Sequence, residues 1–225
     1  MLPVPGGLAL RHSRFPDAHD HNQLVLWSAV SAPEVAAAAD AVRDGPALRG
    51  VHVQDAALAD GLAAGLAERG WCRSDELLMA YRGDPPLPQP VVALGLDERV
   101  GAATRSWAAE QPGWPAETVA QLGGRIATAV GVAEPVFLAV RDGGEVVARA
   151  DLLVRGGVAQ VEEVVTEPAA RGRGHASALV REAVRRALEA GAGLVVLVAD
   201  ADDWPAGLYR RLGFADLGRT TTFSR

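Results

Sequence analysis

Val161-Glu-Glu-Val-Val-Thr-Glu-Pro-Ala-Ala-Arg-Gly-Arg-Gly-His-Ala-Ser177 changes its period midway, and that change decides the fold. The stretch begins inside a β-rich run, Val158–Thr166. Pro168 stops the run, because proline has no amide to give to a ladder. Arg171-Gly-Arg-Gly174 follows. From His175 to Ala190 the apolar residues Ala176, Leu179, Val180, Val184, Ala187 and Leu188 recur at three and four, the period of an amphipathic helix. Glu182 and Arg186 stand four apart on its wetter side, and Gly191 and Gly193 end it. Leu194–Ala199 is then continuously apolar up to Asp200, as in a strand covered on both faces. Strand, helix and covered strand in succession predict a right-handed βαβ unit with parallel strands.

Working outward, Val136–Val140 and Val146–Val154 precede this unit. Asp142-Gly-Gly144 and Arg155-Gly-Gly157 separate the three β-rich runs, and glycine supplies the backbone that tight hairpins need. An antiparallel meander is predicted. Before it come a strand at Val91–Leu94 and helices at Glu98–Glu110 and Ala116–Val130, punctuated by Pro112, Gly113 and Pro115. After it come a helix at Trp204–Leu212 and a strand at Phe214–Phe223. The predicted fold class is α/β with a mixed sheet.

Asp84-Pro-Pro-Leu-Pro-Gln-Pro90 carries neither helix nor central strand through it. The expected organisation is an α/β extension over residues 1–84, a proline-rich linker at 85–90 and a main domain over 91–225. The extension reads as a strand at Leu24–Ser28, then a capping box, Ser31-Ala-Pro-Glu34, opening a helix to about Arg43. A short strand at Val51–Gln54, a helix at Ala56–Arg69 and a strand at Asp75–Tyr81 complete it.

Composition narrows the function. One cysteine, Cys72, excludes an internal disulfide and a CxxC metal site, and fits a reducing cytoplasm. No apolar run is long enough to span a membrane, and Met1–Leu10 lacks the pattern of a secretory signal. A net charge of −6 argues against nucleic acid and suits a cationic amine. All 22 basic residues are arginine. That bias makes composition a poor guide to an "Arg-rich" site, so spacing must carry the argument.

The loop Arg171–Ser177 has the parts of an anion site. Gly172 and Gly174 let backbone approach a ligand. The free amides of the helix's first turn point outward with the positive end of its dipole. A pyrophosphate suits that position, and Arg171 and Arg173 can add charge-assisted contacts. Three readings compete: a plain surface turn, a dinucleotide loop with Asp200 as the ribose acid, and an acyl-CoA loop. The dinucleotide fingerprint follows its strand directly, whereas Thr166–Ala170 intervene here, and Ser177 stands where a third glycine or alanine is usual.

Arg171-x-x-Gly174-x-Ala176 resembles the R/Q-x-x-G-x-G/A signature of the GNAT acetyltransferases. Leu208-Tyr-Arg-Arg-Leu-Gly-Phe214 is similar to their LYxxLGF segment. The resemblance runs from about Val91 to the C-terminus and implies acetyl-CoA as co-substrate, an amine acceptor and direct attack on the thioester. It implies that Val164, Val165 and Thr166 border the pantetheine arm, and that Gly172, Arg173, Gly174, His175, Ala176 and Ser177 follow Arg171 around the pyrophosphate. It makes Tyr209 the general acid. Many members carry Asn seven residues before that tyrosine and Ala four before it; this chain has Asp202 and Pro205, which leaves a cofactor contact at Asp202 in question.

The amine must also lose a proton. Glu162 and Glu163 are the candidates, and strict alternation places Glu162 with Val164 and Thr166 on one face and Glu163 with Val165 on the other. Glu163 is slightly favoured for the acceptor's side. A backbone amide freed by a bulge near Val165 or Thr166 would stabilise charge on the carbonyl oxygen. Asp17-Ala-His-Asp-His21 has metal-ligand residue types but no further cluster to complete a shell. Trp71, Trp107 and Trp114 read as core or cleft wall. Superposing Gly70 on Gly213 sets Leu66 against Tyr209, so the first half reads as a degenerate GNAT-like half or an unrelated cap. Small amines and protein N-termini both remain open as acceptors, as does a homodimer. A non-catalytic acyl-CoA sensor is the alternative from another class.

Overall fold

In the computed structural model, residues 1–41, 48 and 50–225 are described, and the expected helix end at Arg43 lies outside them. The chain divides into two units. The first comprises Met1–Leu77, Asp200–Asp203 and Gly218–Arg225, and the second Leu78–Ala199 and Trp204–Leu217. The proline-rich segment 85–90 thus falls inside the second unit.

In the first unit, β1 (Leu2–Val4) and β2 (Gly7–Ala9) form an antiparallel hairpin, and β2 pairs with β3 (Gln23–Leu26). The β3 strand runs parallel to β4 (Gly50–Val53), with α1 (Ala32–Ala41) between them in sequence. Ser31 and Glu34 make the carboxylate half of the expected capping box. The Ser31 amide and hydroxyl both donate to the Glu34 carboxylate, at 2.9 and 2.6 Å. Asp55 caps α2 (Ala56–Ala67) by accepting from the Leu58 amide at 2.7 Å. Gly70, with φ of +79°, closes α2, and the Trp71 amide reaches back to the Leu66 carbonyl. The core holds Leu24, Val51, Val53, Leu66, Trp71 and Phe223. Asp75, on β5 (Cys72–Tyr81), accepts from Thr221 Oγ1 at 2.7 Å and Arg73 Nε at 2.9 Å. Burial pushes this carboxyl up, but those two bonds outweigh it and hold it below the usual range.

In the second unit the strand order is β5-β10-β9-β8-β7-β6. Strands β6 (Val92–Leu94), β7 (Glu134–Asp142), β8 (Glu145–Arg155) and β9 (Val158–Thr166) pair antiparallel in sequence order, the meander expected from the glycine turns. The β9 strand is parallel to β10 (Leu194–Asp200), with α5 (His175–Glu189) as the crossover. Leu179, Val180, Ala183, Val184 and Ala187 are buried where α5 lies on β7–β9. Each large apolar side chain buried there contributes about 1.5–3 kcal/mol. Helix α3 (Leu96–Glu110) is followed by α4 (Ala116–Gly124). The single helix expected over Ala116–Val130 is corrected: after Gly123-Gly124, both poor helix formers, it tightens to a 3₁₀ turn, Arg125–Gly131. Helix α6 (Pro205–Arg211) and β11 (Phe214–Ser224) complete the chain, and Thr221–Ser224 pair with β4 in the first unit.

The proline-rich segment is fastened at its end. The Gln89 amide donates to Glu182 of α5 at 3.2 Å, and Arg185 and Arg186 donate to the same carboxylate at 2.7–2.9 Å. The Arg185 bond, more than any other partner, draws the Glu182 carboxyl down to about 2.

Candidate active site

Strands β9 and β10 pair from Val158↔Leu194 to Val161↔Leu197, and among the described residues their ladder stops there. Both strands continue, to Thr166 and Asp200. Val198, next on β10, is 39% exposed despite lying in an interior strand. The parallel pair therefore opens towards the loop that follows β9.

The departure coincides with a bulge on the other side of β9. Asp151 of β8 faces Glu162 and Arg149 faces Val165, so Glu163 and Val164 both stand opposite Ala150. Glu163 has φ of +51° and is the one non-glycine described residue with a left-handed backbone. This overturns strict alternation. Glu162 and Val165 share the face of Asp151 and Arg149, while Val161 and Thr166 share the face of Leu152 and Ala148. The bulge expected near Val165 or Thr166 lies one to three residues earlier, at Glu163–Val164.

Charged residues that sequence reading missed surround the bulge. Arg99 of α3 and Asp151 of β8 are 1% and 0% exposed and meet through two 2.6 Å hydrogen bonds, Nε to Oδ1 and Nη2 to Oδ2. Arg99 Nη2 is also 3.5 Å from Glu163 Oε2, and Arg125 Nη2 donates to Glu163 Oε1 at 2.6 Å. Arg149 is buried and lies 3.6 Å from Glu167. Desolvation, then the neighbouring Arg99, lowers the Arg149 guanidinium. Burial likewise pushes the Asp151 carboxyl up, against the pull of Arg99. The available signal was chemical: Ala148-Arg-Ala-Asp-Leu152 puts two charges in an interior strand, and buried charges need partners. Glu162 accepts from the Gln160 side-chain amide at 2.7 Å.

The glycine loop has the form its sequence implies. Gly172 and Gly174 have φ of +76° and +81°, and a Cβ added at either would meet no atom within 4 Å. Gly174 is the N-cap of α5, and no side chain caps that end. The opening of α5 thus presents uncapped amides to open space, which fits a diphosphate. The two arginines do not extend freely. Arg171 Nε donates to the Thr166 carbonyl at 3.1 Å, tying the loop to the end of β9. Arg173 donates to Asp142 at 3.1 Å and to the Ala169 carbonyl at 3.4 Å. Ala176 and Ser177 are half-buried in the first turn of α5. His175 Nε2 is buried with no hydrogen-bond partner among the described residues.

Tyr209 of α6 is 8% exposed, its ring 6.2 Å from that of Phe214, which in turn packs on Tyr81 at 5.3 Å. Burial raises its phenol above the ordinary value, so the hydroxyl keeps its proton at neutral pH. Asp202 lies in an exposed turn of the first unit, its amide bonded to Asp200 at 2.9 Å. Trp107 and Trp114 stack at 6.1 Å, with Arg125 5.9 Å above the Trp107 ring. Trp71 is core. In the Asp17–His21 stretch, structure is organised by Asn22, whose amide donates to the Phe15 and Ala18 carbonyls at 2.7 and 2.8 Å. Among the described residues no group of three metal-ligating side chains comes together.

A meander, a parallel pair that parts, and a glycine cradle at the head of the crossover helix define the acyl-CoA N-acyltransferase fold. The chain belongs to the acetyltransferase (GNAT) family, whose model matches residues 101–214. Among solved structures, it is similar to a GNAT-family protein from Novosphingobium aromaticivorans, with 27% identity and a TM-score of 0.52. That match covers 68% of this chain and 64% of the other, so this chain spans less than two thirds of that relative's length. A GCN5-related N-acetyltransferase from Kribbella flavida aligns over 92% of this chain and 82% of its own, at 22% identity and a TM-score of 0.57. A functionally unknown protein from Staphylococcus epidermidis aligns over 96% and 93%, at 11% identity and a TM-score of 0.65, which is likeness of fold alone. None of the curated proteins matches the chain.

Proposed function

We propose that the protein is an N-acetyltransferase that uses acetyl-CoA to acetylate an amine. The observation that carries this reading is the parting of β9 and β10 beside the open cradle at Gly172 and Gly174. An extended pantetheine arm can add to the freed backbone of Val164–Thr166 as a strand would, and the diphosphate can rest on the first turn of α5. Acetyl-CoA supplies an acetyl group activated as a thioester.

The chain's residues then have separate tasks. Glu162 takes the proton that the acceptor's ammonium must lose before its nitrogen can attack. We assign this to Glu162 because both oxygens of Glu163 already face guanidinium groups. A backbone amide released at the bulge donates to the carbonyl oxygen as charge gathers there. Tyr209 gives its proton to the departing sulfur, and its raised phenol value favours the protonated form needed for that. The net charge of −6 suits a cationic acceptor, either a small amine or a protein N-terminus. No described helix is long and apolar enough to cross a membrane.

We read the first unit as a GNAT-like half without acid or cradle. A parallel pair, β3 and β4, is followed by α2 and a left-handed Gly70, as β9 and β10 are followed by α6 and a left-handed Gly213. Thiol release from acetyl-CoA, measured over a panel of polyamines, amino acids and peptide N-termini beside calorimetry of CoA binding, tests the function. Turnover with one acceptor class is expected. CoA binding without turnover on any of them would make the protein an acyl-CoA sensor, and no binding would end the reading.

A further inference from the structure

We infer that Glu163 is a positioning residue, held by Arg99 and Arg125 so that the left-handed bend in β9 persists, and that Arg99 acts on the cofactor strand through it. This rests on the acetyltransferase reading above.

The bend occurs where a left-handed conformation is costly. A side chain with a Cβ resists positive φ, and glycine is the residue that ordinarily accepts it. The chain places glycine at each other described left-handed position, yet has Glu163 at φ of +51°. A conformation of this kind persists only when the surroundings impose it. Here the surroundings are explicit. Arg125, at the start of the 3₁₀ turn after α4, holds Oε1 at 2.6 Å. Arg99 stands 3.5 Å from Oε2. Arg99 is itself fixed, because both arms of its fork bind the fully buried Asp151 on the neighbouring strand. The planar fork meets a carboxylate in one orientation, so Asp151 sets the direction of Arg99, and Arg99 helps set Glu163.

What this fixes is the register of the working end of β9. With the extra residue in place, Val165 faces Arg149 and Thr166 faces Ala148, although Glu162 still faces Asp151. The backbone at Val164–Thr166 that would receive the pantetheine arm is thereby turned relative to the paired half of the strand. A carboxylate so clamped orients backbone; it need not exchange protons in each turnover.

Glycine provides the discriminating variant, since it adopts the bend without a clamp. CoA affinity by calorimetry and kcat against pH are measured for wild type, Glu163→Gln, Glu163→Gly and Glu163→Ala. Glu163→Gly is expected to bind CoA within about threefold of wild type, whereas Glu163→Ala binds about tenfold more weakly, the equilibrium equivalent of a left-handed penalty that glycine escapes. Glu163→Gln leaves the acidic limb of kcat in place. Arg99→Lys weakens CoA binding in the wild-type background but not in Glu163→Gly. Equal CoA affinity of the Gly and Ala variants, or loss of the acidic limb in Glu163→Gln, would overturn the inference. If wild type binds no CoA, the acetyltransferase reading fails, and amide hydrogen exchange at Val164 and Val165 decides the inference alone. A wild-type-like pattern in Glu163→Gly that is altered in Glu163→Ala supports it, and identical patterns refute it.

Discussion

Arg99 and Asp151, separated by 52 residues, form a two-armed ion pair from which solvent is excluded, both bonds at 2.6 Å. Such a pair stabilises little relative to well-packed apolar residues, but it is costly to break on one side only. Arg99→Met should therefore destabilise the protein by about 3–5 kcal/mol, since Asp151 is left charged and unpartnered. Arg99→Met with Asp151→Leu should recover most of the loss in urea unfolding. A single variant as stable as wild type would show that the carboxylate finds other support.

Glycine 174 separates charge from backbone strain. Its φ is +81° with open space around it, so Gly174→Asn, which tolerates that region, should fold normally. Gly174→Asp places a negative group where the diphosphate would rest and should weaken CoA binding by about thirtyfold relative to the Asn variant. Calorimetry on the two variants gives the comparison, and equal affinities would remove the loop from the binding site.

Loss of the Tyr209 hydroxyl should affect turnover more than binding. Tyr209→Phe is expected to lower kcat by about a hundredfold with little change in CoA affinity. Because burial raises the phenol, the wild-type alkaline limb should lie above 10.0, and the variant should lack it. An unaltered rate would assign the leaving-group proton to another donor.

Glu182 makes stability depend on acidity. Its folded value of about 2 lies below its ordinary 4.5, so the ionised form is favoured by folding. The contribution is complete above the unfolded value and fades as pH falls from 4.5 towards 2. At neutral pH it amounts to about 3 kcal/mol. Glu182→Gln should remove that slope from thermal unfolding between these limits, and an unchanged slope would place the acid sensitivity elsewhere.

Much of the second unit was legible because its periods are clean. Val158–Thr166 forms a strand with the expected bounds, and α5 ends one residue before its expected limit at Ala190. The β1–β2 hairpin was not legible: its strands are three residues each, too short to reveal a period, and Pro3 within β1 and Pro5 in the turn argue against a strand there. The division near residue 85 reads covalent order, whereas the first unit also draws on Gly218–Arg225, which no local signal announces. At the site, the cradle was legible from glycine spacing, and Tyr209 from its resemblance. The position of the bulge was not, because the alternation breaks at Glu162-Glu163 and again at Val164-Val165, and the sequence does not say which residue is the added one. Nor was the Arg99 pair, since one arginine among 22 carries no mark of burial.

The added residue in β9 has a consequence for how this chain tolerates insertions and deletions. Removing one residue at 163 or 164 would let the strand re-zip against β8 with Val165 still opposite Arg149 and Thr166 still opposite Ala148, so every side chain keeps its face while the bend is lost. The lesion would be a straightened strand in a sheet whose pairing on either side stays intact. A protein so altered would melt almost as the parent does while offering its ligand a fully paired strand edge in place of freed backbone.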